Sequence, residues 1–360
     1  MGKKNRSIWY TLGCIGLMSF ALSGCRLLEL LESRDTPKEH ELVGYNLDVL
    51  NEKILNSSVL GSDLIKFPSS LNGQVLSLYI REQLSQLPAL VAKGAVRQGS
   101  VIPESALKRI EENSAFNNIK DKTPTFYAVA LQRLDLLMAP TSAVWYKDKD
   151  HHDSNVLKIG QVMPGEAVAV MHMSDDYSFC YVQSSYARGW LPYYKLMFTG
   201  HIRWLEIVKP NDFAVVTSPQ YSVTIKGHEY VYYMGDVIML DMKQSTVDKP
   251  VGLFPVNKEG VLTFESVELP KKDFNIGYLK ATPENLLAQA LAYKKAYPDE
   301  AEGPTDPAFN ALMMTRVYRS IGIRLPQDSR SLCSVVSFLP LKDKVKSDVF
   351  GPITCMELYF

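Results

Sequence analysis

Between residue 126 and about residue 280, short β-prone segments alternate with turn signals, and this pattern restricts the chain to few folds. Residues 127–131 (Tyr-Ala-Val-Ala-Leu) and 167–171 (Ala-Val-Ala-Val-Met) are rich in residues that favour strands. Turn signals such as residues 163–166 (Met-Pro-Gly-Glu) and 174–176 (Ser-Asp-Asp) separate such segments at short intervals. This spacing predicts small antiparallel barrels and argues against βαβ units.

The composition excludes several classes of protein. Lys and Arg total 39, as do Asp and Glu, so the formal net charge is zero and a basic field for nucleic acid is absent. Apolar residues at 46% and charged residues at 22% are ordinary for a packed protein, and 360 residues allow two to four domains at roughly 100–200 residues each. Five cysteines are too few for a disulfide scaffold. Because no His/Cys cluster has zinc-ligand spacing, we expect no metal and no cofactor.

The N-terminus has the pattern of an export signal. Three basic residues precede an apolar stretch at residues 8–22, which is shorter than the ~20 residues that span a bilayer. Residues 22–25 (Leu-Ser-Gly-Cys) resemble the bacterial lipobox, and this resemblance implies that Cys25 is lipidated and becomes the new N-terminus. The alternative is an ordinary secretory signal with a chance cysteine. Since Arg26 follows and not Asp, the resemblance favours the periplasmic face of the outer membrane, within the cell envelope.

The segment after the signal predicts a tether and then helices. Residues 25–45 are polar and charged, and residues 46–125 show helical periodicity. Within them, residues 74–87 form an amphipathic pattern, and residues 105–112 form a second one behind Pro103. No chemistry is evident in this segment, so we interpret it as a small helical N-terminal domain.

The order of motifs in the β-rich region resembles a known architecture. Residues 163–167, 181–184 and 189–192 (Gly-Trp-Leu-Pro) follow one another as in the first bacterial Src-homology-3-like (SH3-like) barrel of multidomain NlpC-type cell-wall cysteine peptidases. Residues 213–217 and 277–285 resemble the first strand of the second barrel and the link into the peptidase domain. An unrelated β-protein with repeated turns is the alternative.

The resemblance implies a multidomain fold, mainly β with α. It consists of a small helical N-terminal domain, two SH3-like β-barrels and a truncated α+β papain-like remnant. The predicted boundaries are a lipoprotein signal peptide at 1–24, a tether at 25–45, a helical domain at 46–125, barrels at 126–200 and 201–280, and a degenerate peptidase remnant at 281–360.

The peptidase remnant lacks the residues that its chemistry needs. Such an enzyme requires a thiolate, a histidine base and a group that orients the base. The helix that follows the nucleophile in the family is present at residues 311–320, but the aligned nucleophile position is Phe309, and a slip of one residue gives Asn310. None of the six histidines lies after His228, and Thr354 stands near the base position. The resemblance therefore implies no catalytic residues and an inactive enzyme.

Other candidate residues have simpler interpretations. Cys333 has no base nearby in the sequence, and Cys180 lies in a predicted strand where we expect it in the core. His151 and His152, flanked by two aspartates, are a weak metal motif, for which a solvated loop tip is the favoured interpretation. Asp328 and Ser329 match residues that line the family's substrate cleft, although such residues also cap turns and helices.

Two functional classes remain open from the sequence. The first is a lipoprotein that binds peptidoglycan peptides or an envelope protein and is attached to the membrane through lipid on Cys25. The second is an active D-glutamyl–diamino-acid endopeptidase with an unrecognised nucleophile; a decayed gene product is a further alternative. In the first class, aromatic residues of the first barrel supply a binding surface, although we expect about two thirds of them to be core: Tyr177, Tyr181, Tyr186, Trp190, Tyr193 and Tyr194.

Overall fold

The computed structural model of the chain describes residues 46–58, 60–152, 154–297, 307–326 and 332, and for residues 307–311 it describes only the helical backbone. Within these ranges, no helix has both the length and the apolar character needed to cross a membrane.

Among the residues that the structure describes, four α-helices and four short strands precede the β-rich region. The helices are α1 (Leu47–Ser57), α2 (Gly73–Leu84), α3 (Leu87–Ala92) and α4 (Glu104–Asn113), and the strands are β1 (Ser70–Asn72), β2 (Val96–Arg97), β3 (Ser100–Val101) and β4 (Lys122–Pro124). Strands β1 and β4 pair with each other, as do β2 and β3.

Side-chain caps and apolar spacing explain where α1 and α2 form. Asn46 and Asn72 each accept two backbone N–H groups of the helix that follows. In α2, Leu76 and Ile80 are four residues apart and fully buried. The helix ends at Leu84, earlier than the periodicity predicts, because the Ser85 hydroxyl bonds back to Glu82 and a new helix with Pro88 in its first turn begins at Leu87.

A seven-stranded antiparallel sheet follows. Its strands are β5 (Phe126–Ala130), β6 (Leu134–Leu137), β7 (Lys158–Val162), β8 (Ala167–Met173), β9 (Phe179–Gln183), β10 (Arg188–Pro192) and β11 (Leu196–Phe198). Their order in the sheet is β11-β5-β8-β9-β10-β6-β7.

Both faces of this sheet are buried. Along β9, Cys180 and Val182 point into one core, while Phe179 and Tyr181 point into another that contains Leu76 and other residues of α2 and α4. This period of two follows from strand geometry, in which successive side chains point to opposite faces. The helices before the sheet therefore cover one face of it.

The next region contains three small sheets around one core. Helix α5 (His201–Val208) precedes the strands β12 (Phe213–Val216), β13 (Gln220–Ile225), β14 (His228–Tyr233), β15 (Val237–Met239), β16 (Val251–Lys258), β17 (Val261–Glu268) and β18 (Phe274–Ile276). The sheets are β15-β12-β18, β13-β14 and β16-β17, and side chains from all three pack together around Phe254. The second barrel of the sequence analysis stays a prediction.

The last described elements are α6 (Pro283–Ala296) and α7 (Pro307–Ser320). Leu286 and Tyr293 of α6 pack with Met313 and Val317 of α7, and helix α1 joins the same core. Asn51 of α1 fixes this contact, since its amide donates to the Gly322 carbonyl at 2.9 Å and accepts from the Arg324 backbone N–H at 2.8 Å. The first helix of the described chain thus packs with the last ones, whereas α2 and α4 pack on the seven-stranded sheet.

Candidate binding groove and buried charge cluster

The predicted site residues lie outside what the structure describes. Cys25, Asp328, Ser329 and Thr354 lie outside the described residues. Phe309 lies within the backbone of α7, and its side chain is also outside what is described. The degenerate nucleophile, the base position, the cleft remnant and the lipidation site all stay predictions, and Cys333 is likewise outside the described ranges.

The described part of the chain offers no reactive thiol. Cys180 is fully buried in β9, and burial raises the pKa of its thiol to about 12. A thiol with this pKa carries almost no thiolate at neutral pH, and thiolate is the nucleophilic form. His172 is also buried and lies 3.0 Å through Nε2 from the Ser114 carbonyl, and burial lowers its pKa. These two residues belong to the core.

The loop with the two histidines makes local contacts. His151 Nδ1 lies 2.8 Å from an Asp148 carboxylate oxygen, and the ring of His152 lies 4.6 Å from that of Tyr146. Among the residues that the structure describes, no group of three His, Cys, Asp or Glu side chains has the arrangement to hold a metal ion.

The six aromatic residues singled out in the first barrel divide evenly between core and surface. Tyr181, Tyr186 and Trp190 are buried, but Tyr177, Tyr193 and Tyr194 are 67%, 42% and 73% exposed. The expectation that two thirds would be core is therefore wrong. The cause is local: the three exposed rings lie in connections beside β9, β10 and β11, where the alternation of strand faces does not apply.

The exposed tyrosines border one groove, which we call the tyrosine groove. It is lined by Tyr177, Tyr193, Tyr194 and, from β14, Tyr233, and it encloses about 890 Å³. This volume falls within the ~300–1,000 Å³ of small-ligand sites. The groove therefore lies between the seven-stranded sheet and the second β-rich region.

The turn that carries Tyr177 is held by hydrogen bonds from several sides. Asp176 accepts from the Ser174 hydroxyl at 2.6 Å and from the Ser178 backbone N–H at 2.9 Å. Asn113, at the end of α4, accepts the Asp176 backbone N–H at 3.1 Å. Partial burial raises the pKa of Asp176, but these hydrogen bonds outweigh that effect and lower the pKa below its ordinary value.

The charged groups of the groove already have partners in the protein. Asp135 accepts from Lys158 Nζ at 3.1 Å and from the Gln161 side-chain amide at 2.8 Å. Arg133 pairs with Asp236 and donates to the Val231 carbonyl at 3.1 Å. The ammonium of Lys195 lies 5.5 Å from the centre of the Tyr194 ring. What the groove presents to a ligand is thus mainly tyrosine rings, hydroxyls and amides.

Behind Tyr233 lies a buried charge cluster that the sequence analysis did not find. It consists of the carboxylate of Asp236 and the guanidinium groups of Arg133, Arg316 and Arg319. One carboxylate oxygen accepts from Arg316 at 3.1 Å and from Arg319 at 3.2 Å; the other accepts from Arg133 and from the Tyr233 backbone N–H at 2.9 Å. Burial alone would raise the pKa of Asp236, but the three arginines outweigh it and lower the pKa.

This cluster links three parts of the fold. Arg133 follows β5, Asp236 precedes β15, and the other two arginines lie in α7. The excess positive charge lies against ring faces, since Arg133 and Arg316 are within 4.7 Å of the Tyr233 ring centre and Arg319 is 4.4 Å from that of Tyr186. A sequence signal existed: two arginines three residues apart within a helix that is otherwise largely apolar require a buried partner.

Arg319 also lines a second cavity, of about 940 Å³. Glu166 lines this cavity. One of its carboxylate oxygens accepts a hydrogen bond from the Met163 backbone N–H at 3.0 Å, and the other has no hydrogen-bond partner among the described residues. Burial raises the pKa of Glu166 to about 7. This carboxylate therefore gains a proton in a pH range where most others are ionised.

Comparison with known proteins shows a match to a domain family and a similarity of fold to solved structures. Residues 146–192, which include Tyr177 and all of β7–β10, match the family model of an SH3 domain of the SH3b1 type. Comparison with curated proteins gave no significant match. The solved structure of an NlpC/P60 endopeptidase from Photobacterium damselae subsp. piscicida aligns with a TM-score of 0.57 at 13% identity. The alignment covers 80% of this chain and 65% of the other, so the chain spans less than two thirds of that protein. The chain thus contains a segment similar to SH3b1-type domains within a fold similar to that of an NlpC/P60 endopeptidase.

Proposed function

We propose that this protein is a membrane-anchored lipoprotein of the cell envelope that binds peptidoglycan without cutting it. The observation that carries the proposal is the tyrosine groove, to which the segment similar to SH3b1-type domains contributes Tyr177 and the turn around it. The solved structure that shares the fold is that of an NlpC/P60 endopeptidase, and the motif order resembles cell-wall peptidases of the NlpC type, which supports the cell wall as the place of action. The lipobox-like residues before Cys25 support attachment to the membrane, with the chain on the periplasmic face of the outer membrane.

The absence of hydrolysis is proposed from the sequence of the remnant. Hydrolysis by the route of this family needs a sulfur atom and an imidazole in hydrogen-bond contact. Phe309 supplies no nucleophilic atom, and no histidine follows residue 228. Loss of even one member of such a triad typically costs several orders of magnitude in rate. An envelope protein is the alternative partner for the groove if peptidoglycan does not bind.

The test separates binding from cleavage. Purified full-length protein is mixed with peptidoglycan, and bound protein and released peptides are measured separately. We expect pull-down without release, no effect of a thiol-alkylating reagent, and no rescue by Phe309→Cys, since the base is still absent. Peptide release that disappears on alkylation, or on Cys333→Ala, would show that the protein is an active peptidase.

A pair of variants tests whether the groove is the contact surface. Tyr194→Ala removes an exposed ring from the groove, and Phe126→Ala removes a ring that is 55% exposed outside it. We expect the first to reduce pull-down and the second to leave it unchanged. Equal pull-down by both variants would remove the groove from the proposal.

A further inference from the structure

Tyr177 has a backbone conformation that its own packing does not explain. Its φ is +56°, in the left-handed region, which is unfavourable for a bulky residue and ordinary for glycine. The ring is 67% exposed, so burial of the side chain does not compensate the strain. Strained residues of this kind cluster at ligand-binding positions. The conformation is fixed, because the Tyr177 backbone N–H bonds to the Ser174 carbonyl at 3.0 Å within the turn.

The chemistry of the groove selects among the parts of peptidoglycan. Stem peptides carry carboxylates and ammonium groups, which bind best to charged side chains that have no other partner. In the tyrosine groove, Asp135 and Arg133 are in ion pairs within the protein, and Asp176 accepts hydrogen bonds from its own turn. The Lys195 ammonium lies against a ring of the groove itself, 5.5 Å from the centre of the Tyr194 ring. Exposed tyrosine rings with hydroxyls and amides around them instead suit a ligand that is polar, largely uncharged and has flat apolar faces.

We infer that the tyrosine groove binds the carbohydrate chain of peptidoglycan, with the Tyr177 ring stacked on a sugar face. This inference rests on the proposed function and names the substrate class at the same site. Tyr193 and Tyr194 extend the ring surface, and Tyr193 is held against Phe198 with ring centres 5.7 Å apart. The backbone N–H of Tyr193 donates to the Ser178 carbonyl at 2.8 Å, so a backbone hydrogen bond joins the segment that carries Tyr177 to the one that carries Tyr193.

The test uses a β-1,4-linked hexamer of N-acetylglucosamine as the probe. It is titrated calorimetrically into the full-length protein in a detergent without a sugar head group. We expect saturable binding that Tyr177→Gly weakens about tenfold or more, the loss expected for one stacked ring. Because glycine accepts a positive φ, this variant keeps a melting temperature no lower than that of the wild type.

The matched control is Glu259→Gly. Glu259 also has a positive φ, of +55°, in the turn between β16 and β17, away from the groove. Glu259→Gly relieves the same kind of backbone strain as Tyr177→Gly, and we expect Glu259→Gly to leave hexamer binding unchanged. Equal losses in the two variants would refute a contact through the Tyr177 ring.

Separate outcomes distinguish the failure of this inference from that of the proposed function. If the protein pulls down with peptidoglycan but does not bind the hexamer, the carbohydrate assignment is wrong and the proposed function stands. The same conclusion follows if a purified stem peptide binds and Tyr177→Gly weakens the binding of that peptide. If the hexamer binds and Tyr177→Gly has no effect, the groove is not its site. If neither peptidoglycan nor the hexamer binds, both proposals fail.

Discussion

Replacing Asp236 with asparagine tests what holds α7 against the two β-rich regions. The carboxylate is fully buried, and the side chains of Arg316 and Arg319 are only 7% and 6% exposed. Asparagine keeps the shape and one acceptor oxygen but removes the negative charge. The three guanidinium groups would then share a buried site without the carboxylate that compensates them.

The expected cost follows from that geometry. Breaking a buried ion pair by removing one partner typically costs about 3–5 kcal/mol, because the remaining charge is desolvated and unpaired. The ring of Tyr233 lies against two of the arginines in both proteins, at about 0.5–2 kcal/mol per contact, so these contacts do not change the difference. We expect Asp236→Asn to lower the free energy of unfolding by about 3 kcal/mol or more at pH 7.

The pH dependence has a defined sign. The pKa of Asp236 is lower in the folded protein than its ordinary value of 3.8, so its contribution to stability is complete above that value. The contribution is lost as the pH falls through the folded pKa. The contribution of the Asp236 carboxylate itself to the difference between wild type and Asp236→Asn should therefore be constant from pH 5 upward and should shrink in stronger acid.

Urea unfolding and hydrogen exchange of α7 measure the effect. Asp248→Asn is the control, because Asp248 also forms an ion pair, with Lys271 at 2.7 Å, but its side chain is 88% exposed. We expect the control to leave the free energy of unfolding and the exchange in α7 nearly unchanged. If Asp236→Asn costs no more than the control, or if α7 amides exchange no faster, the cluster does not hold this helix.

Three further predictions follow from the structure and the sequence. Burial raises the pKa of Glu166 from 4.5 to about 7, so the stability of the wild type falls as the pH rises between those values. Glu166→Gln lacks this loss and should be more stable than the wild type above pH 7 by at most about 3 kcal/mol in urea unfolding. A stability difference that is equal at pH 5 and pH 8 would contradict the shift. Gly235→Ala places a Cβ 2.7 Å from the Arg316 carbonyl oxygen, at a φ of +81°, whereas a Cβ at Gly227 has the same φ and no heavy atom within 4 Å. We expect Gly235→Ala to lower the free energy of unfolding by about 2 kcal/mol more than Gly227→Ala, and equal losses would exclude the contact with α7. Cys25→Ser should leave the membrane fraction or accumulate with its signal uncleaved, and fractionation like that of the mature wild type would refute lipidation.

Local patterns in the sequence were sufficient where one strand or one helix face decides the structure. The alternation in residues 167–171 lies in β8, and Cys180 is in the core of β9 as its neighbours indicate. The Gly-Trp-Leu-Pro motif has a physical reason, because a Cβ at Gly189 would lie 2.6 Å from the Leu137 carbonyl oxygen of β6, while Trp190 fills the core. Such features depend on neighbours in the chain or on one adjacent strand.

The binding groove was predictable only in part. The sequence singled out the aromatic residues, but it did not separate the three exposed rings from the three buried ones. Exposure of Tyr177 depends on the left-handed turn and on the hydrogen bonds that Asn113 and Ser174 make to that turn. Asn113 is 63 residues away in the chain, so no local pattern contains this contact.

The buried charge cluster shows most clearly where sequence reasoning ends. From residue 313 to residue 320 every side chain of α7 is buried, and a helix buried on all sides that contains Arg316 and Arg319 must find a carboxylate in the core. The sequence therefore requires a partner but offers 39 acidic residues without distinguishing among them. Asp236 is 80 residues from Arg316, and Arg133, which completes the cluster, is a further 103 residues from Asp236. Only the packing of α7 between the two β-rich regions selects Asp236, so the cluster depends on how these three parts of the described chain are arranged and not on any one of them.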